Sequence, residues 1–93
     1  MRLFKSTDDK LREIGFKKIV DSEYVVSYER QCSGCGFTHV LEIYHKKNGH
    51  HIVISYDKDL LDSNSIGNIS VGLTYYETKL AMRKMKEKGW KSK

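Results

Sequence analysis

Apolar and polar positions alternate with two different periods along this chain, and the changes of period mark its elements. Near the start, Ser6-Thr7-Asp8-Asp9 carries the residues of a helix N-terminus. Ser6 can cap, and two carboxylates sit where the helix dipole is positive. Leu11 and Ile14 share one face, and Gly15 stands where a helix stops, so a short helix is expected over residues 7–14. The period then drops to two. Residues 16–20 read as a short strand, Asp21-Ser22 as a turn, and residues 24–30 as a stronger strand with Tyr24, Val26 and Tyr28 on one face. Cys32-Ser33-Gly34-Cys35-Gly36 has turn composition. Phe37, His39, Leu41, Ile43 and His45 then mark one face of a strand over residues 37–45. Asn48-Gly49 is the strongest hairpin signal in the chain, with residues 50–56 as the returning strand.

A two-residue turn at Asn48-Gly49 predicts a register: His45 opposite Ile52, Ile43 opposite Ile54, Leu41 opposite Tyr56. The same treatment of Ser33-Gly34 sets Cys32 opposite Cys35, Arg30 opposite Phe37 and Tyr28 opposite His39. The expected inner face is Tyr24, Val26, Tyr28, Phe37, Leu41, Ile43, Ile52 and Ile54. Residues 57–72 are polar and read as a long, mobile loop, shortened if a fifth strand forms near residues 69–71. Thr74-Tyr75-Tyr76-Glu77 matches a capping box, and Gly89 is the expected stop. Between them Thr78, Ala81, Met82 and Met85, widened by Leu80, form a stripe suited to packing on a sheet. The fold class that follows is α+β: a three- to four-stranded antiparallel β-meander with a short N-terminal helix and a longer C-terminal helix on one face.

With 93 residues and no internal repeat, the chain is expected to form one domain, 1–93, ending in a basic tail, 89–93. It has no Pro, no long apolar run and no signal-like N-terminal core, which makes a cytoplasmic protein without membrane contact the expectation. Charge changes the picture more. Residues 79–93 carry seven basic side chains and one acid, whereas the remainder carries ten basic and eleven acidic ones. The whole excess of +5 therefore belongs to the C-terminal helix and tail. Lys79, Arg83, Lys84, Lys86, Lys88 and Trp90 are the candidates for contact with nucleic acid or a protein partner. The competing reading is a solvated helix face. The cations surround the helix more than they line it, and no named nucleic-acid-binding motif is present.

Candidate chemistry is sparse. Cys32 and Cys35, two apart with Gly between and after, look like half of a zinc knuckle, and His39 is the nearest third ligand. No second CxxC exists, and the competing reading is a plain tight turn. Redox use of the pair lacks the helix N-terminus that lowers a thiol pKa. His45 and His50 are expected on one face of the hairpin and His51 on the other, making a basic tip with Lys46 and Lys47. Asp57, Asp59 and Asp62 lack the Gly and final Glu of a calcium loop. No nucleophile–base order, metalloprotease, P-loop or dinucleotide motif occurs. The expectation is a protein that is not an enzyme and needs no cofactor, with zinc as the one metal for which suitable residues exist.

Several stretches carry a family resemblance. They are Leu11-Arg12-Glu13-Ile14-Gly15-Phe16-Lys17-Lys18, Tyr28-Glu29-Arg30, Thr38-His39-Val40, His45-Lys46-Lys47-Asn48-Gly49-His50-His51, and Gly72-Leu73-Thr74-Tyr75-Tyr76-Glu77-Thr78-Lys79-Leu80. With these the chain resembles short, uncharacterised proteins encoded by bacteriophages and prophages of Gram-positive bacteria. The resemblance implies expression in the host cytoplasm and a role as a modulator that binds host or phage machinery; an uncovered sheet edge or apolar patch on such a meander would add a homodimer to the expected states. The Cys32–Cys35 turn departs from the family pattern, which counts against zinc as a shared property.

Overall fold

The computed structural model describes residues 5–32, 37–58 and 70–91. Helix α1 (Thr7–Glu13) leads into a sheet of β1 (Lys17–Asp21), β2 (Val25–Cys32), β3 (Phe37–Tyr44) and β4 (Ile52–Asp57), and helix α2 (Tyr75–Glu87) closes the chain. The strands are antiparallel neighbours in chain order, β1-β2-β3-β4. This is the α+β meander expected from the periodicity.

Both helices start and stop on local signals. Ser6 and Asp9 form a capping box on α1, and Thr74 and Glu77 form one on α2. The two C-termini are built alike. Gly15 and Gly89 take positive φ (98° and 77°), and the next amide reaches back to the carbonyl of Leu11 or Met85. Each such turn delivers an aromatic residue inward, Phe16 and Trp90, which are 1% and 8% exposed. The core between helices and sheet holds them with Leu11, Val26, Tyr28, Leu41, Ile43, Leu80, Ala81 and Met85.

The registers differ from the sequence expectation. Tyr28 pairs with Leu41 and Arg30 with His39, so the β2–β3 ladder is displaced by two residues and runs to Cys32↔Phe37. A shift of two preserves which side chains face inward, and Val26, Tyr28, Leu41 and Ile43 are buried as expected. Tyr24 precedes the strand and is 54% exposed. Cys32 stands opposite Phe37 and not opposite Cys35, which lies outside the described residues.

The β3–β4 ladder is displaced by one, with Tyr44 opposite Ile52, Ile43 opposite Val53 and Leu41 opposite Ser55. The cause is the turn. The Gly49 amide bonds the Lys46 carbonyl and the His50 amide bonds Asn48 Oδ1, so residues 45–51 all lie outside the ladder. A one-residue slip exchanges the faces of a strand. Ile52, Ile54 and Tyr56 therefore point away from the helices, and Val53, Ser55 and Asp57 point toward them.

In β1 an extra residue, Ile19, separates the pairs Lys18↔Tyr28 and Val20↔Ser27. This bulge sets Lys18 and Asp21, three apart in sequence, on the same helix-side face. Most of the expected loop at 57–72 lies outside the described residues. At its end Ser70 bridges Tyr56, and the Val71 amide bonds the Ser55 carbonyl along the edge of β4. In α2 the buried stripe is Glu77, Leu80, Ala81, Lys84 and Met85. This corrects the expected stripe: Met82 is 56% exposed and Thr78 faces solvent.

Candidate functional site

The polar groups under the helices form two networks. The first centres on Asp8 in the first turn of α1. Its Oδ1 accepts from the Tyr28 hydroxyl at 2.6 Å and pairs with Lys84 Nζ at 3.0 Å, while Oδ2 pairs with Lys18 Nζ at 2.9 Å. Lys18 continues to Asp21 at 3.0 Å, and Asp21 to Lys88 at 2.7 Å. The chain of alternating charges ties α1, β1, β2 and α2 together. Burial pushes the Asp8 carboxyl up, but the hydrogen bonds from Tyr28, Lys18 and Lys84 outweigh it and hold the group at about 2. Burial and the Asp8 carboxylate raise the Tyr28 hydroxyl.

The second network centres on Arg30. Its guanidinium pairs with Glu77 at 2.8 Å, donates to the Ile14 carbonyl at 3.2 Å and to His39 Nδ1 at 2.9 Å, and lies over the Phe16 ring at 4.2 Å. An ideal Cβ on Gly15 would sit 3.2 Å from the Arg30 side chain, so the helix stop also makes room for this arginine. His39 is 2% exposed, and its Nε2 lies 2.5 Å from Ser55 Oγ. Burial and the neighbouring Arg30 push its pKa down.

A Ser55–His39 contact beside Glu77 superficially has the members of a hydrolase triad, but the proton is on the wrong atom. Nδ1 must accept from Arg30, a group that only donates, so the neutral ring carries its proton on Nε2 and donates it to Ser55. A base for the serine needs a free lone pair on that nitrogen. The same occupancy bears on the zinc expectation. Both ring nitrogens of His39 are engaged inside the protein, which takes it away from the ligand role assigned beside Cys32 and Cys35. Cys35 and the Cys32 side chain lie outside the described residues, and among the described residues no group of three potential ligands gathers.

A third cluster fills the end of the sheet. His45 stacks on Trp90 (centroids 5.0 Å apart), and His51 lies 4.9 Å from His45. The Lys46 amide donates to His51 Nδ1, and His51 Nε2 donates to the Lys91 carbonyl at 2.8 Å. His45 Nδ1 is buried with no hydrogen-bond partner among the described residues. The expected pairing of His45 with His50 on one face is thus replaced by His45 with His51, again because residues 45–51 form a wide turn.

The six basic and aromatic candidates do not form one surface. Lys84 is 6% exposed and Trp90 8% exposed, both inside the fold, and Lys88 is held by Asp21. Arg83 donates to the Lys5 carbonyl at 2.6 Å and pairs with Glu87, which also accepts from Thr7. Only Lys79 and Lys86 remain exposed without an ion pair among the described residues. The sequence reading had singled out none of Asp8, Lys18, Arg30, Glu77 and Ser55 for these networks. A usable signal existed for one pair: Glu77 and Lys84 are seven apart, on the same helical line as Leu80 and Ala81.

Among the described residues no helix packs over the far face of the sheet. Val20, Ile52 and Ile54 are 41%, 42% and 38% exposed there, beside half-buried Val25, Tyr44 and Tyr56. Val40 and Ser27 fill its centre at 3% and 5% exposed. The Tyr44 hydroxyl donates to Glu42 at 3.1 Å, and Lys58 pairs with Glu29 at 3.3 Å. Burial and the Glu42 carboxylate raise Tyr44 and Tyr56. Among the described residues no helix is long and apolar enough to cross a membrane. No protein-family model, curated protein or solved structure matches this chain.

Proposed function

We propose that this chain is a small binding protein without catalytic chemistry, acting in a host-cell cytoplasm as the phage-type resemblance implies, and that the open sheet face is where it associates. The observation supporting this is exposed Ile52 and Ile54, continuous with Val25, Tyr44 and Tyr56, on a face that no helix among the described residues covers. Contiguous apolar area of this kind on a small domain marks an interaction surface.

The occupant that fits best is a second copy. A two-fold axis along the strands lays β1 of one copy over β4 of the other, so Val20 meets the Ile52–Ile54 row. Glu29 is already paired with Lys58, whereas Glu42 accepts a hydrogen bond from the Tyr44 hydroxyl but keeps its charge, a desolvation cost that holds the association weak. Four strands about 4.8 Å apart and about five residues long make a face of roughly 19 by 17 Å, so two such faces bury on the order of 600–700 Å². That is below the roughly 1,200–2,000 Å² of stable specific interfaces, so the dimer expected is weak and transient. Sedimentation equilibrium over about 5–500 µM tests this reading, with Ile54→Glu as the perturbation. The reading expects a concentration-dependent dimer that the substitution abolishes at unchanged monomer stability. A chain that stays monomeric throughout, or a dimer indifferent to Ile54→Glu, removes it.

A further inference from the structure

On the side of the molecule away from the open sheet face, α1 and α2 border a groove of about 350 Å³. Its floor is apolar: Leu80, the 56%-exposed Met82 and the 46%-exposed Tyr76. Its rim is cationic, with Lys10 from α1 and Lys79 and Lys86 from α2; Arg83 also lines it but is held by Glu87 and the Lys5 carbonyl. Among the described residues no carboxylate lines it, and Lys10, Lys79 and Lys86 make no ion pair. Lys79 and Lys86 are the part of the α2 charge that the fold leaves unpaired among the described residues.

We propose that this groove binds an acidic amphipathic helix of a partner protein. The charge sets the sign of the ligand, and the floor sets its kind. A helix laid in a groove inserts apolar side chains at i, i+3 or i+4, and i+7, and Met82 supplies an adaptable thioether for them. The line from Tyr76 to Lys86 is about 15 Å long, which accommodates roughly three turns of such a helix. Carboxylates flanking its apolar stripe then reach the lysines on both sides. A single nucleic-acid strand fits less well. It needs several open aromatic faces for successive bases, whereas Tyr76 is the single aromatic among the described residues of the lining, Lys79 Nζ lies 5.3 Å over the neighbouring Tyr75 ring, and Leu80 and Met82 offer a phosphodiester nothing.

The test is fluorescence anisotropy with three labelled probes: a 14-residue helical peptide with Leu at i, i+3, i+4 and i+7, Glu at four positions flanking that stripe and Ala elsewhere, the same peptide with Ser for Leu, and a 14-nucleotide oligothymidylate. The Leu/Glu peptide is expected to bind best. Lys79→Glu with Lys86→Glu is expected to weaken it about tenfold, and added salt to weaken it in the wild type. Met82→Ser is expected to weaken it without lowering the thermal midpoint, since Met82 is outside the core. Circular dichroism checks that every variant folds, and sedimentation checks that the sheet-face dimer is unchanged, which separates this site from that one. Equal binding of the Ser/Glu peptide, tighter binding of the oligonucleotide, indifference to the charge reversals, or no binding of the Leu/Glu peptide at millimolar protein would each overturn the proposal.

Discussion

Replacing Asp8 by Asn removes one charge from the network that joins four elements, and its consequence can be worked from the structure. The hydrogen bonds of Tyr28, Lys18 and Lys84 hold the Asp8 carboxyl at about 2 against an ordinary 3.8. At about 1.4 kcal/mol for each pH unit between them, that depression corresponds to roughly 2 kcal/mol of stability after allowance for solvent screening. The screening is modest, because the side chain is 26% exposed. Asn keeps an acceptor for Tyr28 but leaves Lys84, 8% exposed at its side chain, as a buried charge without its partner, so the loss at neutral pH is expected at about 2–3 kcal/mol. The sign with pH follows from the depression. The contribution is complete above pH 3.8 and is lost as pH falls through the folded value near 2. Trp90 is the single tryptophan and is buried against His45, so its fluorescence follows urea unfolding. For a domain of this size the midpoint should drop by about 2 M urea at pH 7. The gap between wild type and variant should narrow from pH 4 downward. A midpoint change below about 0.5 M, or a gap equally wide at pH 3 and pH 7, would refute the reasoning.

Two further outcomes follow from His39. Burial and Arg30 lower its folded pKa, whereas the unfolded chain takes up the proton normally, so the protein should lose stability as pH falls below 6.5. His39→Gln, which keeps a polar side chain near Arg30 and Ser55, should flatten the slope of stability between pH 6.5 and 5. An unchanged slope in a denaturation series assigns it elsewhere. Because both nitrogens of His39 are engaged by Arg30 and Ser55, treatment with a chelator should leave the thermal midpoint where it was. A fall of several degrees on chelation, restored by zinc, would show that Cys32 and Cys35 hold a metal with other ligands.

What the sequence determined by itself was everything carried by contacts within a few residues. Ser6 with Asp9, Thr74 with Glu77, Gly15 and Gly89 set the helix ends, because a cap closes over three residues and a positive φ needs only the glycine itself. The inward faces of β2 and β3 were readable too, since alternation survives a register error of two. The tertiary structure decided what depends on partners far away in the chain. The turn at Asn48-Gly49 takes more residues than its dipeptide signal indicates, and the resulting slip of one moved Ile52 and Ile54 from the core to an open face. The C-terminal charge could be counted but not apportioned. Lys84 and Lys88 became structural only because α2 crosses α1 and β1 where Asp8 and Asp21 lie, while Lys79 and Lys86, on another side of the same helix, were left facing the groove. A helical pattern states which residues share a side, and only the packed neighbour determines whether that side meets a carboxylate, a sheet or solvent.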